Sequence, residues 1–257
     1  MKVTLCQMEI AWEDKEKNFQ KAEKYIKLAS EQNSDVIFLP EMSLTGFSMN
    51  VDKTSECNNE TVNMMIALAE KYCIAIGIGW VKKRNEKGEN HYTIIDKDGN
   101  IVSDYAKIHP FSYAKEDQFF ESGEKLVSFQ LNEMRCSNFI CYDLRFPEVF
   151  QAVSNNVEMI VVPANWPKAR REHWKCLLKA RAIENQVYMV GINCVGNIGG
   201  LEYSGDSCII SPNGIVLDSF SEKEGIISCV IENDVQLIRD SFRIKDDRKV
   251  ELYKNIL

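Results

Sequence analysis

The stretch NFICYDLRFPEVF, residues 138–150, decides how the chain is read. An apolar run reaches Cys141, and a tyrosine, an aspartate and an arginine follow within four residues before Pro147. Proline lacks the N–H that a ladder needs but fits the first turn of a helix. The stretch therefore predicts a strand over 135–140, a polar corner at Cys141 and a short helix over 147–154. In open α/β sheets the carboxyl end of a buried strand is where ligand crevices form, so a thiol at this corner asks for a chemical role.

Working outward, the same kind of unit recurs. Residues 159–162 read as a buried strand, 168–186 as a long helix and 187–195 as a strand, and a Ser211-Pro212-Asn213-Gly214 turn then joins a hairpin. The N-terminal half shows a similar order: strand 2–8, amphipathic helix 14–32, buried strand 35–39, helix 61–71 and long strand 73–81. Two more strands flank the Lys97-Asp98-Gly99-Asn100 turn. Each half implies a mixed sheet with helices on one face, so the other face needs cover. Packing the two sheets face to face supplies it. The expected fold is α/β, a four-layer α-β-β-α sandwich of two pseudo-symmetric halves, formed by one domain over 1–257.

Composition narrows the function classes. There are 31 basic and 38 acidic residues, a formal net charge of −7, and no basic run longer than Lys82-Lys83-Arg84, which argues against nucleic acid as a partner. The N-terminus turns charged far short of the ~20 apolar residues of a spanning helix, so no membrane association is expected and a cytoplasmic location is. Nine cysteines are an odd count, and Cys6, Cys73, Cys194 and Cys229 lie in apolar, strand-like runs. Reduced thiols in a reducing compartment are the simpler reading. A metal or redox protein is disfavoured because no C-x-x-C pair and no H-E-x-x-H occurs, and the histidines are scattered at 91, 109 and 173. Neither a metal nor another cofactor is expected.

Three strand ends carry the chemistry. VIFLPEMSLTGF puts Glu41 after the second strand, IVSDYAKIHPF puts Lys107 after a hairpin strand, and NFICYDLRF puts Cys141 after the first strand of the second half. A nucleophilic cysteine needs a base for its proton or a positive environment for its anion. Glu41 offers the base and Lys107 the charge. Each residue taken singly also has an ordinary structural reading: a turn carboxylate, a surface lysine, an inert thiol.

The three segments together resemble the signature of the nitrilase, or carbon–nitrogen hydrolase, superfamily, whose members carry a Glu–Lys–Cys triad in this order. The matching segments are LPEMSLTGF, YAKIHPF and ICYDLRFPE, and the resemblance covers nearly the whole chain. It implies the helix–sheet–sheet–helix sandwich. It also implies Cys141 as nucleophile, Glu41 as general base, Lys107 as the cation at the tetrahedral intermediate and the Tyr142 N–H as an oxyanion donor. EDQFFESG is similar to a further family segment and nominates Glu116 to orient Lys107 or the substrate, against a solvated loop charge. Arg145, so near the nucleophile, is expected either to pair with a carboxylate of the fold, the favoured role, or to meet a charged substrate.

VVPANWPKARREHWKCLLKARAIENQVYMVGINCVG and YSGDSCIISPNGIVL are similar to the omega-amidase branch, which hydrolyses the terminal amide of short 2-oxo dicarboxylic acid monoamides such as 2-oxoglutaramate or 2-oxosuccinamate. Phe111 and Trp166 would then wall a small pocket, although Trp166 also suits a packing anchor. Arg145, Lys115, Arg170 and Arg171 are candidates for the cation that meets the substrate's distal carboxylate. The alternative is a related amidase or N-carbamoyl hydrolase with another small substrate. A non-catalytic relic of the fold is disfavoured because all three triad positions are filled. The resemblance further implies a homodimer, with the 168–186 helix as one contact surface.

Overall fold

The computed structural model describes residues 1–255. The N-terminal half runs β1 (Lys2–Gln7), α1 (Lys15–Glu31), β2 (Val36–Phe38), α2 (Val51–Thr54), α3 (Glu60–Tyr72), β3 (Ala75–Arg84), β4 (Lys87–Ile95), β5 (Ile101–Ala106), α4 (Glu116–Phe119) and β6 (Phe120–Glu121). The second half runs β7 (Phe129–Leu131), β8 (Met134–Asn138), α5 (Pro147–Val153), β9 (Met159–Ala164), α6 (Arg171–Asn185), β10 (Tyr188–Asn193), β11 (Val195–Ile198), β12 (Leu201–Ile210), β13 (Val216–Ser221), β14 (Gly225–Val230), α7 (Val235–Ser241) and α8 (Val250–Tyr253). The expected helix over 168–186 divides into a tight 3-10 turn at Lys168–Arg170 followed by α6.

Two sheets form, each with a parallel centre. In the first, β1, β2 and β3 are parallel and β4 and β5 continue antiparallel. In the second, β8, β9 and β10 are parallel, and β12 and β13 continue antiparallel. Side-chain alternation assigns the faces. Val3 and Leu5 of β1, with Val36 and Phe38 of β2, join the core shared with the second sheet, whereas Cys6 and Ile37 point to α1 and α3. Each such aliphatic side chain removed from water contributes about 1.5–3 kcal/mol.

The flanking helices repeat one pattern. Helix α1 buries Asn18, Ala22, Tyr25, Ile26 and Ala29, and α6 buries Trp174, Leu178, Arg181, Ala182 and Asn185, so both have the same spacing along one face. The four-layer sandwich is therefore present, and the run β1-α1-β2-α3-β3-β4-β5 of the first half matches β8-α5-β9-α6-β10-β12-β13 of the second in order.

One strand crosses between the halves. β14, late in the chain, leaves the second half and pairs antiparallel with β1 in the first sheet, from Lys2↔Val230 to Gln7↔Gly225. The crossing covers the edge of β1, whose unpaired N–H and C=O groups would otherwise template association. Among the described residues no helix is long and apolar enough to cross a membrane.

Candidate active site

The site forms where the strand ends of both sheets meet. After β2 the chain turns at Pro40 and presents Glu41, which has no exposed surface. This turn lies directly on β3: a Cβ on Gly79 would sit 2.4 Å from the Met42 backbone nitrogen and 2.7 Å from the Pro40 oxygen, so only glycine permits the approach. Lys107 follows β5, with its N–H held by the Asn90 carbonyl at 2.8 Å and its side chain only 1% exposed. Glu116 opens α4 and is likewise fully buried.

The three charges make a closed set. Lys107 Nζ donates to Glu41 Oε1 at 2.9 Å and to Glu116 Oε2 and Oε1 at 2.9 and 3.1 Å. Burial disfavours the ammonium, but the two carboxylates outweigh it and hold the lysine above its ordinary value. Burial pushes the Glu116 carboxyl up, against the pull of Lys107. Glu116 is thus no solvated loop charge.

Two asparagines complete the floor, and sequence reading missed both. Asn90 Nδ2 donates to Glu41 Oε1 at 2.8 Å and to Glu116 Oε1 at 3.1 Å. The Asn165 N–H donates to Glu41 Oε2 at 2.9 Å, and its Nδ2 to the Glu41 carbonyl at 2.6 Å. Asn165 follows β9 as Glu41 follows β2, so its strand-end position was a usable signal. Asn90 lies inside β4 and had none.

Cys141 sits at the corner expected of it, but the corner is a left-handed residue with φ 46° opening a 3-10 turn over Cys141–Arg145. A non-glycine residue held there costs about 1–3 kcal/mol and persists only when its surroundings enforce it. The thiol is partly exposed to the pocket. Burial and then the Glu41 charge push the thiol well above its ordinary value, with Lys107 opposing, so the resting group is S–H. A thiol beside a buried carboxylate and a buried ammonium can surrender its proton as it attacks a carbonyl.

Above this floor lies a pocket of about 350 Å³ lined by Phe47, Phe111, Tyr142, Trp166 and other apolar groups, with Lys107 and Cys141 at its base. Phe111 and Tyr142 pack at 4.7 Å between ring centroids. Trp166 serves both expectations: it lines the pocket, yet it is only 3% exposed and its indole N–H donates to the Arg170 carbonyl at 2.9 Å. Of the two roles expected for Arg145, pairing within the fold is the one the structure lacks. Among the described residues Arg145 pairs with no carboxylate; its guanidinium lies 4.7 Å over the Trp166 ring and meets His173 Nδ1 at 3.3 Å. Arg170 also lines the pocket and lies 5.5 Å over Phe111. Arg171 is committed elsewhere, to Asp206 at 2.7 and 3.1 Å and to Glu222 at 3.1 Å. Lys115 is exposed and outside the pocket lining. Among the described residues no group of three or more His, Cys, Asp or Glu side chains is arranged to hold a metal ion.

Comparison with known proteins finds one family. The sequence model of the family described as carbon-nitrogen hydrolase matches residues 2–240. The chain is 33% identical over 256 residues to a 2-oxoglutaramate amidase of Bacillus subtilis (strain 168), covering 98% of each chain. It is 37% identical over 218 residues to the omega-amidase YafV of Escherichia coli (strain K12), covering 84% of each. Among solved structures, XC1258 of Xanthomonas campestris, a CN-hydrolase superfamily protein with an arsenic adduct in its active site, superposes with a TM-score of 0.92 at 28% identity over 97% of each chain.

Proposed function

We propose, for a chain that belongs to the carbon–nitrogen hydrolase family, the release of ammonia from the terminal amide of a short 2-oxo dicarboxylic acid monoamide, 2-oxoglutaramate or 2-oxosuccinamate. The enzyme is a thiol-dependent amidohydrolase. Glu41 takes the Cys141 proton as the sulfur attacks the amide carbonyl, and the growing oxyanion is met by the Lys107 ammonium and the Tyr142 N–H. Glu41 passes the proton to the departing ammonia, leaving a thioester on Cys141. Water then enters, gives a proton to Glu41 and its hydroxyl to the acyl carbon, and the carboxylate product leaves as the proton returns to the thiol. Glu116 keeps Lys107 oriented and charged throughout.

The substrate class is carried by one observation. Two guanidinium groups, Arg145 and Arg170, stand on an otherwise apolar pocket wall with no carboxylate partner among the described residues. Burial and then the neighbouring Arg170 charge lower the Arg145 value, as expected of two cations awaiting an anion. A distal carboxylate answers both. The names of the two relatives favour the same class. The homodimer and the cytoplasmic setting belong to this proposal; the first rests on the family resemblance, the second on the charged N-terminus and the cysteines read as reduced thiols.

Ammonia release from a panel of 2-oxoglutaramate, 2-oxosuccinamate, glutamine, asparagine, N-carbamoyl amino acids and simple nitriles tests the reading. The keto acid should be hydrolysed far better than glutamine, whose ammonium would be brought unpaired beside two guanidinium groups at a cost of several kcal/mol or more. Comparable rates for the two, or a preference for N-carbamoyl compounds, would replace the substrate and leave the thiol mechanism standing.

A further inference from the structure

The thiol corner and the lysine end of the site share one buried carboxylate. Asp143, two residues after Cys141, has no exposed surface. Its Oδ2 accepts from the Ile140 N–H at 2.9 Å and from the Tyr105 hydroxyl at 2.8 Å. Its Oδ1 accepts from the His109 N–H at 3.0 Å and from His109 Nδ1 at 2.7 Å. A carboxylate only accepts, so Nδ1 carries the proton. The donors thus come from the residue before Cys141 and from the residues two before and two after Lys107.

The surrounding contacts hold the same arrangement. The Asp143 N–H donates back to the Ile140 carbonyl at 3.0 Å, closing the turn around Cys141. The Tyr105 hydroxyl, while donating to Asp143, accepts the Ile108 N–H at 3.3 Å. The His109 ring stacks on Phe146 at 3.9 Å between centroids, so the imidazole has one orientation. Capping the Cys141 turn requires only the Ile140 contact. The three donors from 105–109 need another explanation.

Cys141 follows a strand of the second sheet and Lys107 a strand of the first, and apolar packing between sheets is not directional. We propose that Asp143 is a positioning residue that ties the left-handed Cys141 turn to the 105–109 segment and thereby sets the placement of the thiol relative to the Lys107 ammonium. This rests on Cys141 acting as the nucleophile with Lys107 at the oxyanion. Four directional hydrogen bonds supply what the apolar interface lacks, and a displacement of about 1 Å in such a site costs about 10²-fold in rate.

The test uses Tyr105→Phe, which deletes one of the four bonds at nearly constant volume, and Asp143→Asn, whose amide nitrogen would face two donors. For each, kcat and KM are measured on the amide that the unaltered enzyme hydrolyses best. Thermal unfolding and the rate of Cys141 alkylation by iodoacetamide, followed by peptide mapping, are measured alongside. Tyr105→Phe should lower kcat about tenfold and Asp143→Asn about 10²-fold, with KM within about twofold and the alkylation rate altered in both. If the folded variants keep kcat within about twofold, or lose thermal stability with kcat and alkylation unchanged, Asp143 is a structural cap only. Should Asp143→Asn fail to fold, Tyr105→Phe decides alone. Turnover by Cys141→Ala checks the nucleophile separately, so failure of the clamp and failure of the thiol reading give different results.

Discussion

The floor and the wall of the pocket treat charge in opposite ways. On the floor every carboxylate oxygen of Glu41 and Glu116 accepts at least one hydrogen bond, and the Lys107 ammonium reaches both groups. On the wall Arg145 and Arg170 have aromatic faces beneath them and, among the described residues, no carboxylate beside them. The floor is therefore assembled by folding, with its electrostatics set before any ligand arrives, whereas in the function proposed above the wall is completed by the substrate. Groups that move protons must stand in place in the free protein. Groups that recognise substrate can leave their desolvation and pairing to the binding step.

The largest break in this comparison should come from Cys141→Ala. Removing the nucleophile is expected to lower turnover at least about 10³-fold. The melting temperature should stay within a few degrees, because the side chain is small and partly exposed. Near-normal hydrolysis by this variant would remove the thiol from the mechanism.

Lys107→Met attacks the floor twice. Losing one oxyanion donor costs about 10²–10³ in turnover, and leaving buried carboxylates without their cation costs about 3–5 kcal/mol of stability. The pH dependence distinguishes this from a packing defect. Burial already holds Glu116 above its ordinary value, and loss of the lysine raises it further. A carboxyl raised in the folded state contributes stability that is fully present below its unfolded value, about 4.3, and is lost as pH rises through the folded one. Urea unfolding should therefore show a smaller deficit near pH 4 than at pH 7. Equal deficits at both would mean that charge pairing is not what Lys107 supplies to the fold.

A smaller effect, confined to binding, is expected on the wall. Arg145→Met or Arg170→Met should raise KM for the keto acid about tenfold or more, the worth of one hydrogen bond to a charged group. The kcat should change little, and so should the hydrolysis of an uncharged short amide. Arg171→Met supplies the contrast. Its guanidinium is held by Asp206 and Glu222, so thermal stability should fall while KM stays put. A KM effect from Arg171 equal to that from Arg145 would erase the distinction between wall and scaffold.

The chain's local pattern determined much of this protein. Short apolar runs at β1 and β2, helical spacing in α1 and α6 and glycine turns at 99 and 214 each act within a few residues, so the layered fold was readable from them. Glu41, Lys107 and Cys141 were readable because strand ends are local features, and their order matches a family signature. Only tertiary structure decided the rest. β14 pairs with β1 across more than 200 residues, and no local rule names a partner so distant. The burial of Glu116 and the recruitment of Asn90, Asn165 and Asp143 depend on which strand ends the sandwich brings together. Of the two roles expected for Arg145, pairing with a carboxylate of the fold is absent among the described residues for the same reason: a charge's partner is set by the three-dimensional neighbourhood. That neighbourhood gave Arg171 its acids and left Arg145 facing the pocket.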